Sequence, residues 1–365
     1  MFRHLLMNIL LPFAFSIMVF VLGICIGKKK SLKKTGLVVF LAIAVVLAWG
    51  WSLVWAIGLP DPLKLLWWTS LIVAASGLPT GIAFASLRQK KWIACVPTAA
   101  FFIYMLFSFG LACVSARKPE VPTGPYFRVL TYNVNWGGPM PELAVKAIKD
   151  CDADIVCLQE TNPQWEKLLR DSLAGEYPYM KFRRSGGAGG QGFLSRLPMK
   201  EIDYITEKAG WFPAWIVEVD TPAGTVQFMN VHLRPPLSER GGVSLSALSS
   251  TKDIRLQEVK DIHPRLDENV PAIIIGDFNE NMSGSASRWL NKKGLKDALV
   301  EFDPYGKTWQ WKTSFGTFSG SFDHIFYTPH LYCLEAGVVR EGASDHFPVT
   351  AVFQSREKNS LKDDE

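Results

Sequence analysis

Hydrophobic and polar positions follow two rhythms along this chain, and the change falls near residue 118. Before it lie four long apolar runs, at about 5–26, 36–57, 65–86 and 92–114. Each approaches the ~20 residues that an α-helix needs to cross a bilayer. After it the apolar runs shorten to strand length: "FRVLTYNV", "DIVCLQE", "AWIVEVD", "TVQFMNVHL", "AIIIGDF", "FDHIFYT" and "FPVTAVF". Between them, helical spacing recurs over Pro141–Lys149, Gln164–Leu173, Ser246–Leu266 and Ala286–Lys292. Pro141 and Pro163 suit first helical turns, where the missing N–H costs nothing. Antiparallel strands mixed with crossover helices predict an α/β fold, with helices outside two layered sheets.

The organisation expected is a bundle of about four transmembrane helices in residues 1–115, a Pro-rich polar linker at 116–125, a folded domain over 126–354 and a polar tail at 355–365. Asp61 is the only acid in the first part, and it falls in a loop. Gly77 and Pro79 interrupt the third run, but both residue types are tolerated in membrane helices. The first run has no small-x-small cleavage site before its lysines and is read as retained. "KKKSLKK" (28–34) and "RQKK" (88–91) lie between runs one and two and runs three and four. By the positive-inside rule these loops are cytoplasmic, so the domain after residue 114 faces outward.

Charge sharpens the division. Of 39 Lys and Arg, 12 precede residue 119, against one acid there; the remaining 27 basic and 33 acidic residues leave the later part at net −6. The overall +5 therefore belongs to the membrane loops, and a polyanion would be repelled by the domain without a local basic groove. Six cysteines, three in apolar runs and three in the domain (Cys151, Cys157, Cys333), form neither a disulfide framework nor a zinc spacing. "RRSGGAGGQG" (183–192) is Gly-rich but lacks the Lys-Ser/Thr ending of a phosphate-binding loop, and is read as a flexible loop beside a site.

The chemistry gathers at strand ends. "IIIGDFNEN" (273–281) runs from three isoleucines into Asp277, Asn279 and Glu280. Taken alone, it reads equally as an ordinary turn or as a functional strand end. Five further runs end alike: Asn133 in "LTYNVN", Glu160 in "CLQET", His232 with Arg234 in "FMNVHLRPP", Asp323 with His324 in "SFDHIFYT", and Asp345 with His346 in "ASDHFPV". Clustered carboxylates repel one another unless a cation or a histidinium balances them. His324 alternates with Asp323 along one strand and so faces the opposite side, as a packed core histidine. Trp211, Trp215, Trp309 and Trp311 suit either a lipid-facing rim or aromatic core packing.

The ordered set Asn, Glu, His, Asp-x-Asn, Asp-His and Ser-Asp-His, spread over about residues 126–354, resembles the endonuclease/exonuclease/phosphatase superfamily, with its deoxyribonuclease-I-like fold. That resemblance implies a four-layer α/β/β/α sandwich hydrolysing phosphoric esters with a divalent metal. It implies Glu160 as principal Mg2+ ligand (Mn2+ as substitute), with Asn133 and Asp345 completing the shell. Asp277 would orient and deprotonate the attacking water, and Asn279 would hold the phosphate or the water in line. Asp323 would fix the tautomer of His346 and keep it cationic, and His232 would donate to a phosphate oxygen or the leaving group. Arg234 is added as a phosphate clamp. A tyrosine stands where His232 does in relatives that cut at abasic sites, which favours the nuclease, sphingomyelinase and phosphatase branches. A membrane bundle before an outward domain resembles bacterial plasma-membrane proteins linked to glycopeptide resistance. The expected activity is thus hydrolysis of a phosphorylated or pyrophosphorylated envelope lipid. Cleavage of extracellular DNA is the alternative, and the oligomeric state stays open.

Overall fold

The computed structural model describes residues 116–355, apart from 139, 207–208, 238–244 and 315. Among these no helix is long and apolar enough to cross a membrane. The four apolar runs and the polar tail expected from the sequence lie outside the described residues, save Ser355.

Two six-stranded sheets form the centre. The first contains β1 (Tyr126–Asn133), β2 (Ile155–Gln159), β3 (Tyr179–Arg183), β4 (Gln191–Ser195), β13 (Leu331–Val338) and β14 (Val349–Ser355), in the order β13-β14-β1-β2-β4-β3. The second contains β5 (Met199–Ile205), β6 (Ala214–Thr221), β7 (Gly224–His232), β8 (Ala272–Asp277), β9 (Lys296–Asp297) and β12 (Asp323–Tyr327), in the order β5-β6-β7-β8-β12-β9. Helices α1 (Pro141–Asp150) and α2 (Pro163–Leu173) cover the first sheet, and α3 (Leu245–Ile262) and α4 (Ser285–Lys292) the second. A short α5 (Ala298–Phe302) and a two-stranded ribbon, β10 (Trp309–Thr313) with β11 (Gly316–Gly320), complete the domain.

Strand alternation builds the layers. In β8, Ile273 and Ile275 join the core between the sheets while Ile274 faces α3 and α4. Likewise Phe127 and Val129 of β1 point between the sheets, and Leu130 and Tyr132 toward α1 and α2. The three isoleucines are fully buried, each contributing on the order of 1.5–3 kcal/mol. Helix α1 buries Ala144, Ala147 and Ile148, and α2 buries Trp165, Leu169 and Leu173, the spacing of one helical face. Asn162 caps α2 by accepting from the Trp165 N–H at 2.8 Å. Three apolar cores separated by two sheets make the four layers expected from the sequence.

The differences from expectation have local causes. The third helix ends at Ile262 rather than Leu266, because Pro264 cannot continue the ladder and a 3-10 turn follows. Residues 116–125, read as a spacer, lie along the domain. The Arg117 N–H donates to the Glu301 carbonyl at 2.7 Å, and its guanidinium pairs with Glu301 and covers Phe302 and Tyr332. The Gly-rich segment is the connection from β3 to β4, with Arg183 still in β3 and Gln191 and Gly192 already in β4. Gly190 packs so closely on the Thr161 carbonyl that any Cβ would collide with it. Cys151, Cys157 and Cys333 are buried free thiols.

Candidate active site

Period-two alternation sends Asn133 (β1), His232 (β7), Asp277 (β8) and Asp323 (β12) to the face between the sheets, beyond its apolar filling. Register brings them to one end: His232 pairs with Asp277, and Asp277 with Asp323. Gly276, immediately before Asp277, has φ 145°, and a Cβ there would run into the Val231 carbonyl. Only glycine lets β7 and β8 approach so closely behind the site. Glu160 and Asn279 sit just past β2 and β8 with φ 61° and 51°, left-handed turns that swing their side chains out of the strand direction.

Beneath these residues lies a wholly buried polar layer joining the two sheets. Gln159 donates to the Asn230 side chain at 2.8 Å, Asn230 to the Leu158 carbonyl at 2.9 Å, and Gln191 to the Asn230 carbonyl at 3.1 Å. Hydrogen bonds between buried amides fix the relative position of the sheets where apolar contacts alone would allow sliding.

Asp277 is the hub. Its Oδ1 accepts from the Asn279 N–H at 2.8 Å and its Oδ2 from the Asn133 amide at 3.1 Å. The Nε2 atoms of His232 and His346 each lie 3.6 Å from that same Oδ2. Asn133 also donates to Glu160 Oε1 at 3.0 Å, and the Trp136 N–H donates to Glu160 Oε2 at 3.0 Å. His346 Nδ1 lies 2.8 Å from Asp323 Oδ2. Burial alone would lower the affinity of His346 for its proton, but Asp323 and Asp277 beside it hold the imidazolium up to about 10. Burial pushes the Asp277 carboxyl above its usual range, against the pull of His346.

Six of the nine residues singled out in the sequence therefore converge: Asn133, Glu160, His232, Asp277, Asp323 and His346. Asn279 adjoins them but spends its amide N–H on the Leu233 carbonyl at 3.0 Å, leaving its oxygen for other partners. Asp345 is engaged on both oxygens, by the Asn135 amide at 2.9 Å and the Trp309 indole N–H at 3.0 Å. Arg234 is buried, with its guanidinium 3.0 Å over the Trp211 ring and its N–H donating to Glu258 at 2.7 Å. His324 faces the helix side and is buried, as its alternation with Asp323 predicts. Of the tryptophans, Trp215 is core, while Trp211 and Trp311 are exposed.

Two contacting residues were not singled out in the sequence, Asn135 and Phe212, whose ring stacks on His232 at 4.3 Å between centroids. Trp309, expected in a rim or core, instead donates to Asp345. Asn135 stands two residues after Asn133 and before a Gly pair, in a left-handed turn, a pattern visible as Asn-x-Asn-x-Gly-Gly. Trp309 and Phe212 carry no such signal.

The donor set fits a hard divalent cation. Three carboxylates, Glu160, Asp277 and Asp323, face at most two imidazoliums, so an incoming phosphate would meet net negative charge without a cation. Asp277, Asp323 and His346 place ligand atoms within 4.8 Å of one another, yet a doubly protonated imidazole cannot ligate. The partly exposed Glu160 suits a cation that keeps several waters. Asn133, turned over, would offer its amide oxygen to the same point.

No curated protein matches the chain. Among solved structures, D. rerio TDP2 complexed with single strand DNA product is similar at 19% identity and TM-score 0.50, over 63% of this chain and 99% of that one. An endonuclease/exonuclease/phosphatase from Beutenbergia cavernae is similar at 20% identity and TM-score 0.49, over 63% and 72%. Staphylococcus aureus beta toxin is similar at 18% identity and TM-score 0.48, over 62% and 99%. At these identities the TDP2 likeness speaks to the fold alone. A family model matches residues 130–346, which include every residue of the convergent site. The chain belongs to the endonuclease/exonuclease/phosphatase family, and so to the phosphoester hydrolases, a group generally dependent on divalent metals.

Proposed function

We propose that this protein is a membrane-anchored, Mg2+-dependent phosphoric-ester hydrolase acting on a phosphorylated or pyrophosphorylated envelope lipid at the outer face of a bacterial plasma membrane. The observation that carries the hydrolase reading is the convergence of a buried histidinium, His346, and a carboxylate, Asp277, beside Glu160. Bound Mg2+ (or Mn2+), held by Glu160 and Asn133, would neutralise the phosphate and polarise its oxygens. Asp345, with both oxygens engaged, would support this site by holding Asn135 and Trp309.

The chain's own groups then divide the work. Asp277, its proton affinity raised by burial, accepts the proton of the attacking water at Oδ2, while Asn279 N–H holds its Oδ1 still. His346 keeps its Nδ1 proton on Asp323 and offers its Nε2 proton to a phosphate oxygen. His232, braced by Phe212, donates to another phosphate oxygen or to the leaving group. Arg234, set over Trp211, is proposed to bind the outer phosphate of a longer substrate.

Membrane anchoring is supported by the four apolar runs and their basic loops, and the lipid substrate by the net −6 of residues 119–365, which disfavours a polyanion. The test is purified full-length protein in liposomes, assayed against lipid phosphates and pyrophosphates, a small phosphodiester and plasmid DNA, with and without EDTA. Release of phosphate or headgroup from a lipid, lost in EDTA and restored by Mg2+, is the expected result. Efficient DNA cleavage with no lipid turnover would replace this substrate by the nuclease alternative.

A further inference from the structure

Behind the site, on the helix side of the second sheet, lies a second charged cluster that touches none of the six convergent residues' functional atoms. His324 is 2.6 Å from Asp297 through Nδ1 and 2.9 Å from the Glu280 carbonyl through Nε2. A carbonyl can only accept, so Nε2 carries a proton, and a carboxylate at Nδ1 makes the ring an imidazolium. Glu280 in turn accepts from Arg255 Nε at 3.1 Å and from the Ser287 N–H, in the first turn of α4, at 2.8 Å. Arg255, on α3, reaches on to the Arg234 carbonyl at 2.9 Å. All four charged side chains are buried.

The attachment points are not scattered. His324 is one residue from Asp323, Glu280 one from Asn279 and three from Asp277, and Arg234 two from His232. The cluster therefore ties together the ends of β7, β8 and β12, the three strands of the second sheet that deliver reacting groups. Buried ion pairs of this kind seldom repay their desolvation with stability, since apolar residues of similar volume do as well or better. What they supply that apolar packing does not is a directional bond at a chosen atom.

We infer that Arg255, Glu280, His324 and Asp297 are positioning residues that hold the Asp277–Asn279 turn against Asp323 and His232 from the rear. Each contact lies on the far face of the strand from the substrate. The cluster acts through backbone: the Glu280 and Arg234 carbonyls are its grips, and the carboxylate of Asp277 and the ring of His232 move when those grips move. This rests on the hydrolase reading above.

The test separates positioning from bulk stability with the pair His324→Leu and Asp297→Asn, made singly and together in the full-length protein. Asn at 297 keeps an oxygen for the α5 cap, where Asp297 now accepts from the Leu299 N–H. His324→Leu alone strands a buried carboxylate and is expected to melt early, whereas the double variant leaves no unpaired charge and recovers most of the melting temperature. Its kcat on the small phosphodiester is expected to stay about 10- to 100-fold low with KM little changed, the size of effect that slight misplacement of a reacting group produces. His324→Gln, which restores a donor toward Glu280, is expected to recover part of that loss. Full kcat in the double variant, with a wild-type melting temperature, would overturn the inference. Should wild-type protein cleave no phosphate ester, the hydrolase reading fails separately. The imidazole NMR resonances of His346 then decide the geometry: a shift in the double variant supports displacement of the Asp277 turn, and unchanged resonances refute it.

Discussion

Among the described residues two buried Asp–His pairs are hydrogen-bonded, on opposite faces of one sheet, and their difference shows how the fold separates chemistry from support. Asp323–His346 lies between the sheets and Asp297–His324 on the helix side. Both imidazoles are held above their ordinary proton affinity against burial by neighbouring carboxylates, His346 up to about 10 and His324 up to about 9. The second nitrogen distinguishes them. His324 Nε2 bonds the Glu280 carbonyl, while His346 Nε2 stands 3.6 Å from Asp277, too far for a hydrogen bond. A histidinium with both protons committed is a strut; one with a proton directed at a carboxylate it does not bond is placed to act as a donor.

Breaking the first pair gives the largest effect. His346→Ala is expected to cut kcat/KM about 10³- to 10⁴-fold with the fold intact, and Asp323→Ala nearly as much. The double variant should be little worse than either, because the two act as one unit. Circular dichroism checks the fold and steady-state kinetics the rest; multiplicative losses would dissolve the pair.

Glu160→Gln is next, about 10²- to 10³-fold, since it keeps size but removes the charge facing the cation. Isothermal titration with Mg2+ should lose its binding signal in the variant. Full activity of the wild type in EDTA would remove the metal from the scheme.

His324→Ala reverses the emphasis, costing about 3–5 kcal/mol of stability because Asp297 stays buried and unpaired. Chemical denaturation measures it. A loss below about 1 kcal/mol would mean that water reaches Asp297 and that the strut carries little.

The pH profile should carry the same contrast. The proposed mechanism uses Asp277 ionised and His346 protonated, so activity is expected to rise as pH climbs through the raised Asp277 value and to fall as His346 loses its proton near 10. The pairing of His346 likewise stabilises the fold in full below about pH 6.5 and ceases to do so above about 10. His346→Gln should remove the alkaline limb and leave the acid limb. As a scale for a helix cap, Asn162→Ala should cost about 1 kcal/mol, with a small loss in kcat/KM because its amide also donates to the Trp136 carbonyl at 2.7 Å, beside Glu160.

The strands that matter to the site were legible because they are central and fully buried, so their apolar runs are continuous: β2, β8 and β12 have no exposed position. Edge and half-covered strands were not, nor was the fully buried β4, whose first residues fall in the Gly-rich segment. β3, β5, β10 and β11 alternate weakly or carry exposed residues throughout, and β5 and β13 contain bulges that break the period. The same logic divides the site. Asn133, Glu160, His232, Asp277, Asp323 and His346 stand at the ends of readable runs. Phe212 and Trp309 approach from a loop and a ribbon whose places depend on long-range packing, which no local pattern encodes. Arg234 and Asp345 show the converse, since position after a strand identifies a residue near the site without revealing which partner claims it.

Strand parity, finally, sets how this chain can change length. Asp277, His232 and Asp323 reach the site between the sheets because each falls on the inward beat of a two-residue period. Deleting one residue of Ile273–Ile275 would turn every preceding side chain of β8 to the other face, exchanging inter-sheet and helix-side isoleucines while Gly276 still guards the close approach. Deleting two would shorten the strand but preserve its faces. Length variants of β7, β8 and β12 that survive selection should therefore differ by even numbers, whereas the β10–β11 turn, outside both sheets, should accept insertions of either parity.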